Sequence, residues 1–145
     1  MRLASAAPLA ETFSFPVRVY YEDTDSGGVV YYANYLKFLE RARTEWLRAS
    51  GFEQPELVRN YNVIFVVRSV AIEYLQPARF NDTLKVTVQL EKIGGCTLDV
   101  FQTVERDVRL VNARVQIVCV DNRADFKPVR IPSSVRQQIE SAINA

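Results

Sequence analysis

Histidine is absent from this 145-residue sequence. Its absence excludes Ser-His-Asp and Cys-His activation of a nucleophile, histidine acid–base catalysis and histidine-ligated metals. Carboxylates, hydroxyls and the backbone must therefore supply whatever chemistry the chain performs. Cysteine is almost as scarce: Cys96 and Cys119 form no CxxC spacing and have no companion zinc ligands. That pattern argues against a metal site or a disulfide framework and fits a reducing cytoplasm. No stretch approaches the ~20 apolar residues of a membrane-spanning helix. An excess of charge of one sign is also missing, since 18 Lys and Arg oppose 17 Asp and Glu. Without a broad basic surface no nucleic-acid or anionic-membrane partner is expected, and an anionic ligand has to be held by a local cluster. Met1 to Ala10 has the alanine content of a secretory leader, but Ser5 and Pro8 interrupt it. Residues 1–14 are therefore expected to be a flexible tail ahead of a single domain, 15–145.

What is present has a clear order. Pro16 to Glu22 is β-branched and aromatic, which suits a strand opened by Pro16. The small polar run Asp23 to Gly28, DTDSGG, then makes a loop. From Tyr32 to Ser50, the residues Tyr35, Phe38, Leu39, Ala42, Trp46 and Ala49 recur at helical spacing, opposite a polar stripe of Lys37, Arg41, Thr44 and Arg48. The spacing predicts one long amphipathic helix ended at Gly51, with Phe38 and Trp46 in the core. Four further runs, Val63 to Leu75, Thr83 to Lys92, Thr97 to Arg106 and Val108 to Asp121, read as strands. Gly94-Gly95 marks a hairpin, and Pro77 with Asn81-Asp82 marks another connection. Val118 and Val120 break the polar alternation of the last strand, as a second buried face or a subunit contact would. After Pro128 a loop and a short surface helix capped by Ser133 or Ser134 are expected. An order of β-α-β-β-β-β without a second helix before the sheet implies an α+β fold, an antiparallel sheet around one central helix.

The segment Tyr20 to Glu45 puts a carboxylate-bearing loop directly before a helix. The first N–H groups of a helix lack intrahelical partners and carry partial positive charge, so they can receive a developing oxyanion. Asp23 and Asp25 are equal candidates for the carboxylate on this reading, and both also suit an ordinary turn or cap.

Residues Val17 to Gly51, with VRVYYEDTD, GGVVY and ANYLKFLERARTEWLR, resemble the active-site signature of hotdog-fold thioesterases of the 4-hydroxybenzoyl-CoA thioesterase type. The resemblance is strongest to the Tol-Pal-associated (YbgC-like) acyl-CoA thioesterases, and it continues more weakly through Phe65–Arg79 and Val118–Pro132. It implies a hotdog fold, hydrolysis of an acyl-CoA or acyl-carrier-protein thioester, and no cofactor. It further implies that Asp25 is the catalytic carboxylate, as general base or as nucleophile, that Asp23 is a structural turn residue, and that the Tyr32 backbone N–H polarises the thioester carbonyl. Gly28, Val67 and Arg68 become substrate-binding candidates. For CoA phosphates the candidates are Arg68, Arg79, Lys92, Arg123, Lys127 and Arg130, while Glu40 and Arg41 are candidates for orienting the site. The family resemblance also implies a homodimer with sites across the interface, dimers joining into a tetramer, and a peripheral link to cell-envelope or lipid-synthesis proteins. The chain departs from the YbgC-like pattern at one place: it has Tyr32 where that pattern has histidine, VVYYANYL against VVYHANYL. A backbone donor survives the change, and the tyrosine ring either shapes an aryl-sized pocket or simply packs. A non-catalytic acyl-thioester-binding protein of the same fold is the alternative.

Overall fold

The four β-branched runs of the second half form strands β2 (Val63–Tyr74), β3 (Thr83–Ile93), β4 (Thr97–Glu105) and β5 (Arg109–Asp121) in the computed structural model, which describes residues 12–143. The expected tail lies outside the described residues as far as residue 11. The first strand, β1 (Phe13–Arg18), begins earlier than Pro16 and ends before Glu22. It stops because the Asp23 carboxylate takes the Tyr20 N–H at 2.8 Å and curls Tyr21–Asp23 into a 3-10 turn. All pairings are antiparallel, in the order β1-β3-β4-β5-β2, so β1 and β2 are the sheet edges. Pro16 is accommodated because β1 is an edge.

The long helix is α1 (Tyr35–Ala49), preceded by a 3-10 turn over Tyr32–Asn34. Tyr35, Phe38, Leu39, Ala42 and Leu47 are buried, and α1 packs against β1, β3 and β4. Ala49, expected on the apolar face, is exposed, and Leu47 takes that place. A second helix, α2 (Gln54–Tyr61), corrects the expectation of a single one ahead of the sheet. Pro55 in its first turn and the left-handed Asn62 (φ 57°) that ends it are ordinary helix boundary signals, but eight residues are too few for a convincing period. It buries Leu57 and lies over β2.

Edge strand β2 carries a bulge. Val67 pairs with Ile117 and Ser69 with Gln116, leaving Arg68 as the extra residue. In a regular strand a one-residue shift reverses every later side chain. The bulge thus keeps Phe65 and Val67 on one side of it, and Val70, Ile72 and Tyr74 on the other, all on the helix face of the sheet. A second bulge at Glu91 does the same for Leu90 and Ile93.

Val118 and Val120 are buried by the chain itself. The loop after β5 returns alongside it, with Val120 bridged to Pro128 and the Val129 N–H donating to the Cys119 carbonyl at 2.9 Å. The last helix, α3 (Ser133–Ile143), is not a surface helix, since Val135 and Ile139 join the core. Ser133 is already its first residue, so Pro132 precedes the helix, and the Ser134 hydroxyl meets the Tyr61 hydroxyl at 2.7 Å. No helix among the described residues is long and apolar enough to cross a membrane.

Candidate active site

The two aspartates of the EDTD run have opposite environments. Asp23 is 5% exposed, and its carboxylate accepts the Tyr20 N–H at 2.8 Å and the Asn34 Nδ2–H at 2.7 Å. Its carbonyl accepts the Tyr31 N–H at 3.0 Å. It therefore ties the end of β1 to the opening of the helix, as a structural turn residue would. Removing it strands two part-buried donors, and hydrogen bonds to charged groups are worth about 1.5–3 kcal/mol each. Asp23→Ala is expected to lower unfolding stability by about 3 kcal/mol, read from denaturant midpoints. An unchanged midpoint would show that the loop does not depend on this cap.

Asp25 stands two residues further along the same arm of a short hairpin and is exposed. The hairpin closes through Tyr31 N–H to Asp23 O, the Thr24–Val30 bridge, and Asp25 N–H to Val29 O at 2.9 Å. At its tip Gly28 has φ +79°, a left-handed conformation in which glycine avoids strain, and a Cβ there would face open space. The only hydrogen bond to the Asp25 carboxylate among the described residues comes from the Gly27 N–H at 2.8 Å.

Beyond the hairpin the chain enters the Tyr32–Asn34 turn. The Asn34 N–H is used by the Tyr31 carbonyl, whereas the Tyr32 N–H has no hydrogen bond among the described residues, as the first donor of a helix should not. Tyr32 is exposed; its ring lies beside Tyr31 and edge-on to Tyr74, and the Tyr74 hydroxyl donates to its carbonyl at 3.1 Å. The ring lines no part of the cavity described below. Burial, and then the neighbouring Tyr32 and Tyr35, push the Tyr74 hydroxyl above its usual value, so it stays a donor. Tyr74 was not singled out from sequence, because a tyrosine in a strand carries no signal of a distant partner.

The remaining candidates are scattered. Val67 and Arg68 sit at the β2 bulge, on the exposed part of an edge strand. Arg79 faces Val29 through a bridge, which puts it beside the Asp25 hairpin. Lys92 is the penultimate residue of β3, while Arg123, Lys127 and Arg130 lie in the loop after β5. Arg41 lies over the Phe38 ring at 5.8 Å, away from any pairing with Glu40. The Cys119 thiol is pushed up to about 11 by burial, which removes it as a nucleophile.

Because α1 covers β1, β3 and β4 while α2 lies over β2, a gap remains between the helices. It is a cavity of about 540 Å³, walled by Trp46, Leu47, Phe65, Val67, Leu98 and Ile117. Trp46, expected in the core, is half-buried on this wall. Arg43 and Glu40 also line it. Arg43 went unnoticed in the sequence, although it follows Leu39 by four residues and so breaks the apolar face.

Comparison with known proteins follows the same outline. Residues 19–139 match the family model of the thioesterase-like superfamily. The acyl-CoA thioesterase YbgC of Haemophilus influenzae is 46% identical over 125 residues, which cover 86% of this chain and 91% of that protein. The acyl-CoA thioesterase YbgC of Helicobacter pylori is 32% identical over 134 residues, covering 86% and 97%. A probable thioesterase from Bartonella henselae superposes with a TM-score of 0.80 at 34% identity, over 84% of this chain and 100% of that one.

Proposed function

This chain belongs to the thioesterase-like superfamily and hydrolyses acyl-CoA thioesters, and from that premise we propose that Asp25 is its catalytic carboxylate and the Tyr32 N–H its oxyanion donor. The observation that carries this reading is that one short segment supplies both groups: an exposed carboxylate at Asp25 on the hairpin and, where the chain leaves that hairpin for the helix, the Tyr32 N–H, which has no hydrogen bond among the described residues.

Two routes use this pair. Asp25 takes a proton from water while the water oxygen adds to the carbonyl carbon, or the carboxylate itself adds and forms an anhydride that water then opens. Either way the carbonyl oxygen gains negative charge, which the Tyr32 N–H receives. The intermediate collapses by breaking the C–S bond. A thiol of pKa ~8.5 leaves readily as thiolate, so no general acid is required, and the absence of histidine is no obstacle. The test is thiol release from short-chain, long-chain and aryl CoA thioesters; no release from any of them would overturn the reading.

The site extends over a two-fold dimer. In β2, Val67 and Val70 are 45% and 39% exposed at the sheet edge. Such a row of unpaired backbone groups invites a second strand. If two β2 edges pair antiparallel about the exposed stretch from Val67 to Ala71, the Tyr74 end of one strand lies beside the Val63–Val67 half of the other. Tyr32, hydrogen-bonded to Tyr74, and the Asp25 hairpin then face the partner subunit's Val67 and Arg68. Gly28, without a side chain, leaves the thioester room to approach. A charge placed on the edge should block this pairing, so Val70→Lys is expected to give a monomer by light scattering, with turnover reduced about 10-fold or more. A fully active monomer would place the whole site within one chain.

A further inference from the structure

Arg43 is a cation in an apolar setting. It projects from α1 into the wall of the 540 Å³ cavity, a size within the range of small-molecule pockets. Its Nη1–H donates to Gln102 Oε1 at 3.0 Å. Gln102 is fully buried on β4, on the helix face of the sheet, and its Nε2 donates to the carbonyls of Leu39 at 3.1 Å and Thr87 at 3.2 Å. With both amide N–H groups committed to backbone, the Gln102 oxygen can only point at Arg43, which fixes the guanidinium in place.

That guanidinium has no ion pair among the described residues. The other charged groups on the cavity wall do not supply one. Glu53 is held by Arg48 at 2.6 Å, and Arg48 is also paired with Glu45. Glu40 is exposed and acts on Arg43 only through space. Burial holds the Arg43 pKa below its ordinary value, as expected of a cation short of compensation. Among the described residues Asn112 Oδ1 is the sole buried polar side-chain atom without a partner. The remaining Arg43 N–H groups are therefore not sealed in the core, and the residue lines the cavity. An arginine offers five donors in a planar fork suited to a carboxylate, and one of them is used by Gln102.

Val67 links the cavity to the reaction. It lines the cavity and lies at the bulged edge that faces the Asp25 hairpin of the other subunit in the proposed dimer, so the cavity that receives the acyl group is that of the subunit supplying Val67. We infer that the acyl group descends past Val67 into this cavity, and that Arg43, held by Gln102, selects acyl groups ending in a carboxylate: the mono-CoA thioesters of dicarboxylic acids. The apolar walls accept the methylene chain, and the guanidinium pairs with its far end. A plain alkyl chain would leave the buried donors facing a methyl group, the mismatch that binding sites reject most strongly. This inference rests on the thioesterase reading above.

The test compares thioesters of equal length, hexanoyl-CoA with adipoyl-CoA and butyryl-CoA with succinyl-CoA, as kcat/KM. The wild-type protein is expected to favour one of the carboxylated substrates by at least about 10-fold over its alkyl match. In Arg43→Met that ratio should fall about 100-fold or more, and Arg43→Lys, which keeps a cation without the fork, should recover part of it. A merely structural Arg43 would lower both members of a pair alike and leave the ratio untouched, which would overturn the inference. So would a wild-type preference for the alkyl substrates, a comparison that stands even if the Arg43 variants fail to fold. If alkyl substrates turn over in an Asp25-dependent manner without any carboxylate preference, this inference fails while the thioesterase reading holds. If no thioester is cleaved, both fail.

Discussion

Asp25→Asn is expected to lower kcat/KM for an acyl-CoA thioester at least about 100-fold while leaving stability within about 0.5 kcal/mol. The two halves of the result have separate causes. An amide can neither take a proton from water nor add to a carbonyl, so both routes stop. The fold does not need the charge: Asp25 is exposed, its carboxylate accepts only the Gly27 N–H at 2.8 Å among the described residues, and the Asn side-chain oxygen can accept it equally well. Thiol release and denaturant unfolding on the same preparation give both numbers. Asp23→Ala supplies the contrast, because there stability falls first. A variant at Asp25 that keeps its activity within a few-fold would move the chemistry to another group.

The Tyr32 N–H can be removed with little disturbance to the backbone. As the first residue of a 3-10 turn, Tyr32 occupies the position where proline is best tolerated: the missing N–H has no partner among the described residues, and proline's fixed φ suits the turn. The preceding Tyr31 is already extended, at ψ 131°, as a residue before proline must be. Tyr32→Pro is expected to cost ~10²- to 10³-fold in kcat, the loss associated with one oxyanion donor. Tyr32→Ala removes the same ring but keeps the N–H, so the ratio between the two variants isolates the donor. Equal activities would show that the charge on the carbonyl oxygen is received elsewhere. Tyr32→Phe isolates the hydroxyl, whose side-chain partner is Tyr31.

Much of the molecule is legible because the signals are local. The alternation in Thr83 to Asp121 and the Gly94-Gly95 turn place β3, β4 and β5 within a residue or two, and the spacing of Tyr35, Phe38, Leu39 and Ala42 orients α1. Errors fall where local rules compete with distant contacts. The capture of the Tyr20 N–H by Asp23 ended β1 early, eight residues were too short to announce α2, and α3 looked like a surface helix until Val135 and Ile139 met the core. The cavity pair is a sharper case. Arg43 violates the apolar face of α1, and Gln102 violates the inward row Leu98, Val100, Val104 of β4. Each anomaly alone reads as noise, and they explain one another only once helix and strand are packed together at 3.0 Å.

By itself the sequence determined the strand and helix periods, the carboxylate loop ahead of a helix and, through the missing histidine, the kind of chemistry open to the chain. These follow from neighbours in the chain and from which side chains exist at all. Tertiary structure alone decided which aspartate is buried and which is free, that β2 is an edge with a bulge at Arg68, and that a cavity with Arg43 in its wall opens between α1 and α2. Burial, edges and cavities are properties of residues 40 to 60 positions apart in sequence, such as Arg43 and Gln102, and no local period encodes such a meeting.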